Sequence, residues 1–138
     1  MRVSLENLAQ FANEFVTTLP TPLVRAHVVG LRGDLGAGKT TFVQHVARAL
    51  GVNASVTSPT FVIMQTYQTS HPTLTTLVHI DAYRLKPNEA HTIGWPQVTE
   101  NPHALVLVEW PELLGLTDIP TLSFSVVSEN ERDITYAN

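Results

Sequence analysis

Residues 33–40 read GDLGAGKT, and this stretch decides the fold that the rest of the chain must build. It satisfies the pattern G-x-x-x-x-G-K-[ST], whose glycines let backbone N–H groups turn towards phosphate oxygens at the N-terminus of a helix. Lys39 is expected to reach the β- and γ-phosphates, and the hydroxyl of Thr40 to ligate Mg²⁺. The stretch therefore predicts a site for Mg-ATP, with these nucleotide-binding residues: Asp34, Leu35, Gly36, Ala37, Gly38, Lys39, Thr40 and Thr41.

The segments on either side of the glycines have the order that a phosphate site needs. Residues 27–31 form a short β-branched run, which predicts a strand that leads into the loop. Residues 39–50 have a helical pattern that ends at Gly51, a residue typical of a helix C-terminus. The flanking sequence thus predicts a strand, a glycine loop and a helix independently of the motif.

The remaining segments predict an α/β protein. Apolar residues recur at helical spacing over residues 5–19, after the N-cap candidate Ser4. Further strands are predicted at residues 61–68, 77–80 and 104–108, a short helix at 88–94, a turn at the Gly-Trp-Pro of residues 94–96, and a closing strand pair at 121–127 and 133–137. The closing pair lacks a helix long enough for a parallel crossover, so the sheet should be mixed. We expect a single domain over residues 1–138, with a P-loop NTPase-like three-layer fold in which helices flank a mixed β-sheet.

Two acidic residues follow predicted strands, where a magnesium site would need a carboxylate. Asp81 comes after residues 77–80, and Glu109 comes after residues 104–108. The second run is the longer and more apolar of the two, which is typical of a central strand beside the P-loop strand. We therefore assign Glu109 to the metal, directly or through a water, and Asp81 to the water that attacks the phosphate.

Composition limits the class of protein. With 138 residues, of which 43% are hydrophobic, the chain is long enough to bury a core without cross-links. It has no cysteine, and its six histidines lack a metal-ligand spacing such as H-E-x-x-H. A net charge of −4 with eight Lys and Arg residues disfavours a broad nucleic-acid-binding surface. No run approaches the roughly 18 apolar residues of a membrane span, and no leader pattern is present. We expect a cytoplasmic protein that does not associate with membranes.

Two common subclasses of P-loop protein fit the sequence poorly. A GTPase would carry an Asn-Lys-x-Asp motif, yet the only lysine besides Lys39 is Lys86, within LKPNE. A small-molecule kinase would bring several arginines to the transferred phosphoryl group, and the arginines here are few and dispersed. Hydrolysis of ATP, or its use as a switch, is favoured over phosphoryl transfer to a substrate.

Four segments together resemble one family. They are LRGDLGAGKTTF from Leu31, VTSPTF from Val56, HIDAYRL from His79 and VLVEWPELL from Val106, and they span most of the chain. In order and spacing they are similar to TsaE, also called YjeE, a small bacterial ATPase needed to make threonylcarbamoyladenosine at position 37 of tRNAs that read ANN codons. The resemblance implies a cytoplasmic ATPase that binds the complex of TsaB and TsaD and meets tRNA only through these partners.

The resemblance also implies roles for individual residues. Thr40 and Glu109 match the family's magnesium ligands, Asp81 matches its essential acid, and Trp110 matches a tryptophan near the site. These matches agree with the division of the two acids that the strand patterns suggest.

Two further matches come from the resemblance alone. Residues 58–61 match a loop that responds to the γ-phosphate, so Thr60 joins Lys39 and Asp81 in the predicted catalytic set. Arg132 lies where the family often has a basic residue, and we count it among the nucleotide-binding residues. Two alternatives to a partner-dependent ATPase stay open. One is an ATP-dependent binding module without significant turnover, and the other is a small-molecule kinase.

Overall fold

The structure is a computed structural model that describes residues 1–20, 24–56, 64–83, 85–86 and 93–137. In these residues seven strands form one sheet, namely β1 (Arg2–Ser4), β2 (His27–Arg32), β3 (Met64–Gln68), β4 (Thr76–Asp81), β5 (Ala104–Glu109), β6 (Thr121–Val126) and β7 (Glu131–Ala137). Their order across the sheet is β1-β7-β6-β2-β5-β4-β3. The four central strands β6, β2, β5 and β4 are parallel, whereas β1–β7, β6–β7 and β3–β4 are antiparallel pairs. The predicted mixed sheet is confirmed.

Helices cover both faces of the sheet, which gives the expected three layers. The described helices are α1 (Leu8–Thr18), α2 (Lys39–Ala49) and α3 (Trp95–Glu100), with 3-10 turns at Leu5–Asn7 and Pro111–Leu114. Alternate residues of β5 point to opposite faces: Leu105 and Leu107 pack in the core formed with α1 and α2, while Val106 and Val108 pack on the side of α3. This is why β5 is buried along its whole length.

The order of the strands sets the two acids beside the phosphate loop. Strand β5 lies between β2 and β4, and Glu109 pairs in register with Leu31 on one side and Asp81 on the other. Parallel strands end at the same edge of a sheet, so both acids lie at the edge from which the loop after β2 emerges. The prediction that the strand ending at Glu109 is the neighbour of the P-loop strand is confirmed.

Several element boundaries differ from the sequence-based prediction. Strand β1 was not predicted, because a three-residue strand shows no pattern of its own and forms by pairing with β7. Helix α1 begins at Leu8 rather than residue 5, since the Ser4 hydroxyl accepts a hydrogen bond from the Asn7 N–H at 3.2 Å and closes a 3-10 turn first. Strand β7 begins at Glu131, two residues before its predicted start.

The region before β5 also differs. A helix, α3, begins at Trp95 where Gly-Trp-Pro predicted a turn; proline is tolerated there because the first residues of a helix need no N–H partner. The short helix predicted at residues 88–94 and the first part of the strand predicted at 61–68 lie largely outside the described residues. Within residues 1–20, 24–56, 64–83, 85–86 and 93–137, no helix has the length and apolar character needed to cross a membrane.

Candidate functional site

The glycine loop links β2 to α2 and opens onto a cleft of about 360 Å³. Gly36 and Gly38 have φ values of +81° and +104°, which side chains rarely adopt, and a Cβ on either would meet no atom within 4 Å. Both glycines therefore present bare backbone to open space. Gly38 is the N-cap of α2 and provides no side-chain cap, so the first N–H groups of the helix remain available to an anion.

The side chain of Lys39, the first residue of α2, lies inside the site. It is only 4% exposed, its Nζ donates a hydrogen bond to the carbonyl of Gly33, and the same atom lies 3.8 Å from the centre of the Trp110 ring. Burial lowers the pKa of Lys39 from its usual value, and the nearby carboxylates of Glu109 and Asp81 oppose this shift. A buried cation with one carbonyl and one ring face as its partners has donor capacity left for a phosphate.

The carboxylate of Glu109 is buried next to the start of α2. The hydroxyl of Thr40 donates to it, with distances of 3.2 Å to Oε1 and 3.0 Å to Oε2. On the other side, Nε2 of His79 lies 2.5 Å from Oε2. The predicted metal residues Thr40 and Glu109 are thus brought into direct contact across the sheet edge.

Asp81 lies in the same cleft, one strand further from the glycine loop. Its Oδ1 accepts a hydrogen bond from the backbone N–H of Tyr83 at 3.0 Å. Burial raises the pKa of the Asp81 carboxyl above its usual range, with the Tyr83 hydrogen bond acting in the opposite direction. A carboxylate with a raised pKa is a better proton acceptor than an exposed one.

Trp110 forms a wall of the cleft in an unusual backbone conformation. Among the described residues it is the one non-glycine residue with positive φ, at +61°. This conformation begins the 3-10 turn after β5 and aims the indole across the cleft, where it contacts the Tyr83 ring at 5.1 Å between centroids. Trp95, by contrast, packs against the core cluster on the side of α3, as expected.

Arg132, on β7, reaches the glycine loop rather than pointing away from it. Its Nε donates to the carbonyl of Ala37 at 3.0 Å, and Nη2 lies 3.5 Å from the carbonyl of Gly36. Its Nη1 donates to the carbonyl of Ser128 at 2.9 Å, in the turn between β6 and β7. The arginine therefore ties the closing hairpin to the carbonyls of the loop and holds the loop in one conformation.

Most residues that the sequence predicted for the site line this cleft. They are Leu35, Gly36, Gly38, Lys39, Thr40, Thr41, Asp81, Glu109 and Arg132. Asp34 and Ala37 face a neighbouring cleft beside β6 instead. Thr60, with the loop of residues 58–61, lies outside the described residues.

Sequence reasoning missed two residues of the site. Leu5 lines the cleft beside Arg132, and it was assigned only to the apolar face of the first helix. His79 was treated as one of six scattered histidines. Its signal was its position, because a histidine inside the otherwise apolar run of β4, two residues before Asp81, shares the face that carries the acids.

The oxygen atoms at the cleft suit Mg²⁺ better than a metal that needs a closed ligand cage. No group of three or more acidic, histidine or cysteine side chains with metal-binding geometry occurs within the described ranges. Mg²⁺ keeps several waters and takes only one or two protein oxygens together with phosphate oxygens. The paired Thr40 hydroxyl and Glu109 carboxylate, next to an uncapped helix N-terminus, fit that requirement.

Comparison with known proteins identifies the family. The family model described as "Threonylcarbamoyl adenosine biosynthesis protein TsaE" matches residues 3–134. The chain is 35% identical to the tRNA threonylcarbamoyladenosine biosynthesis protein TsaE of Treponema pallidum over 133 residues, which cover 94% of this chain and 95% of that protein. It is 39% identical to the protein of the same name from Rickettsia felis over 110 residues, or 76% of this chain but only 61% of the relative.

A solved crystal structure has a similar fold. The crystal structure of Bacillus subtilis YdiB superposes with a TM-score of 0.73 at 28% sequence identity, covering 99% of this chain and 82% of that one. The family match covers all seven strands except Arg2 of β1 and the last residues of β7, and it includes every described residue of the cleft. The chain therefore belongs to the TsaE family of tRNA threonylcarbamoyladenosine biosynthesis proteins.

Proposed function

We propose that this chain is a magnesium-dependent ATPase that serves the threonylcarbamoyladenosine modification at position 37 of tRNAs reading ANN codons. One observation carries the proposal. The lysine and threonine of the glycine loop and the acids of two neighbouring strands converge on a single cleft at the N-terminus of α2. Backbone N–H groups at a helix N-terminus, an ammonium, a hydroxyl and two carboxylates are the groups that a phosphate chain with Mg²⁺ requires.

The phosphate chain of ATP binds over the glycine loop. The free N–H groups at the start of α2 and the bare backbone of Gly36 and Gly38 face the phosphate oxygens. Lys39 moves its ammonium from the Gly33 carbonyl and the Trp110 ring to the β- and γ-phosphates. The phosphates thus supply further acceptors to this buried cation, whose described acceptor is the Gly33 carbonyl.

Thr40 and Glu109 hold the magnesium ion. The Thr40 hydroxyl can donate its proton to the Glu109 carboxylate and still present a lone pair to a metal. Mg²⁺, when bound, offsets negative charge on the β- and γ-phosphate oxygens. Glu109 anchors that assembly from the end of the central strand β5.

Asp81 acts on the attacking water. It shares the cleft with Lys39 and Glu109, and its raised pKa favours proton acceptance. The carboxylate is oriented by the Tyr83 N–H, so it presents a fixed oxygen to the water. Thr60 is proposed to contact the γ-phosphate from the loop of residues 58–61.

The proposed partner is the complex of TsaB and TsaD, on which ATP hydrolysis acts between rounds of modification. Support comes from the family to which the chain belongs. The net charge of −4 supports the proposal that tRNA is bound through the partners rather than by this chain alone. We also propose a cytoplasmic location, which the family's tRNA-modifying role supports.

Release of inorganic phosphate tests this proposal. The purified chain is incubated with Mg-ATP alone, with the TsaB–TsaD complex, and with that complex plus tRNA. We expect turnover that rises when the complex is present. Association that depends on ATP but yields no phosphate would favour the binding module instead, and transfer of the phosphate to a small molecule would favour the kinase.

Replacing Arg132 should weaken nucleotide binding without abolishing it. Arg132→Ala removes the donors that hold the carbonyls of Gly36 and Ala37, so the loop is free to adopt other conformations. Hydrogen bonds from a charged group contribute about 1.5–3 kcal/mol, which predicts a roughly tenfold or greater loss of ATP affinity.

Arg48→Ala is the matched control, since it removes the same charge from an exposed position in the last turn of α2. Calorimetric titration with ATP compares the two variants. Equal affinities for both would show that the arginine does not brace the loop.

A further inference from the structure

His79 is a buried polar residue whose side chain, within the part of the chain that the structure describes, forms one hydrogen bond, to a residue of the proposed metal site. Its side chain is fully buried on β4, and Nε2 lies 2.5 Å from Oε2 of Glu109. We propose that His79 is a positioning residue that fixes the Glu109 carboxylate beside Thr40, and this inference rests on the proposed magnesium-dependent function.

The neighbours of His79 show that packing alone does not explain the residue. On β4 it is flanked by apolar residues that are themselves buried, and Leu77 on the same face belongs to the core formed with α1 and α2. The second ring nitrogen, Nδ1, is buried and has no hydrogen-bond partner among the described residues. A leucine of similar size would fill this position without burying an unpaired polar atom. The single bond to Glu109 is the interaction that only the imidazole supplies here.

The geometry of the carboxylate indicates what this bond achieves. Oε2 lies within hydrogen-bond distance of both His79 Nε2 and the Thr40 hydroxyl. Within the described part of the chain, Oε1 has one side-chain hydrogen bond, from Thr40 at 3.2 Å. Without His79, the hydroxyl of Thr40 is the one side-chain donor to the Glu109 carboxylate among the described residues, and the carboxylate can rotate about its last bond. With His79 in place, Oε2 is fixed and Oε1 keeps free lone pairs for the ion or its water. Residues that orient a metal-site carboxylate commonly change metal affinity or activity by about 10- to 100-fold when replaced.

Three variants of His79 separate a positioning role from a structural one. His79→Leu removes the donor but keeps the volume. In His79→Gln the amide nitrogen can take the place of Nε2. The side chain of His79→Asn is shorter, so its amide nitrogen takes the place of Nδ1 and does not reach Glu109. ATP affinity is measured by calorimetry at graded Mg²⁺ concentrations and in EDTA, so that the result does not depend on turnover.

The quantity compared is the Mg²⁺ concentration that gives half of the Mg²⁺-dependent gain in ATP affinity. We expect this concentration to rise about tenfold or more in His79→Leu and His79→Asn. His79→Gln should stay within about threefold of the parent, because its amide restores the hydrogen bond that orients the carboxylate. ATP affinity in EDTA should be the same in all three. If His79→Leu does not fold, the comparison of Gln with Asn decides the matter, because both keep a polar side chain.

The control is Leu77→Val, a mild core change two residues earlier on the same face, which should leave the Mg²⁺ dependence unchanged. An equal shift in Leu77→Val, an unshifted His79→Leu, or a Gln variant as impaired as the Asn variant would each overturn the inference. If the ATP affinity of the parent protein does not depend on Mg²⁺, the proposed function itself is overturned. Failure of the His79 inference and failure of the proposed function are therefore distinguishable.

Discussion

Lys39→Ala should lose ATP affinity by at least roughly 10- to 150-fold, the equivalent of about 1.5–3 kcal/mol for hydrogen bonds to a charged group. The cause is the removal of the Lys39 ammonium, which lies between the glycine loop and Trp110 and faces the proposed phosphate position. Turnover should fall further, because the same charge stabilises the transferred phosphoryl group. Equilibrium binding and phosphate release measure the two effects separately.

Two controls make the Lys39 result interpretable. Lys86→Ala removes the only other lysine of the chain, from an exposed position, and should leave affinity unchanged. Lys39→Met keeps the buried apolar stem and removes only the charge, so it should bind ATP as poorly as Lys39→Ala while preserving the thermal unfolding temperature. Wild-type affinity in a folded Lys39→Met protein would show that the loop does not bind phosphate through this residue.

Asp81→Asn and Glu109→Gln should separate chemistry from metal binding. Asp81→Asn keeps its shape and should bind Mg-ATP nearly as well as the parent. It should hydrolyse ATP at least roughly tenfold more slowly, since a positioned base contributes about 100-fold or more. Glu109→Gln keeps the side-chain volume but loses the charge that holds the ion, so ATP binding should respond less to Mg²⁺.

The two variants are compared in the same assays, with Mg²⁺ titrated into the binding measurement and saturating Mg-ATP used for turnover. If Asp81→Asn loses the Mg²⁺ dependence and Glu109→Gln retains it, the roles of the two acids are reversed. Their positions alone do not forbid this, since both strands end at the same edge.

The part of the fold nearest the glycine loop could be predicted because its signals are local. The run of apolar residues before Glu109 is buried on both faces, and this property is visible in the sequence and places β5 in the centre of the sheet. The strand, loop and helix around residues 33–40 were predictable for the same reason. The likeness of four segments to TsaE then identified the family that the comparisons show.

Features that depend on distant segments could not be predicted. Strand β1 exists only because Arg2–Ser4 pairs with β7, more than 120 residues away along the chain. Arg132 was assigned to the nucleotide, and nothing in its local sequence says that it holds the carbonyl of Ala37. The partner of His79 was equally hidden, since the contact with Glu109 requires β4 and β5 to be neighbours in a specific register.

The nucleotide site is tested most directly by a calorimetric titration of the purified chain with ATP, performed in Mg²⁺ and again in EDTA. We expect saturable binding of one ATP per chain that tightens when Mg²⁺ is present, and that is lost or strongly weakened in Lys39→Met. Absence of ATP binding by the folded chain in either condition would contradict the claim that residues 33–40 form a nucleotide site.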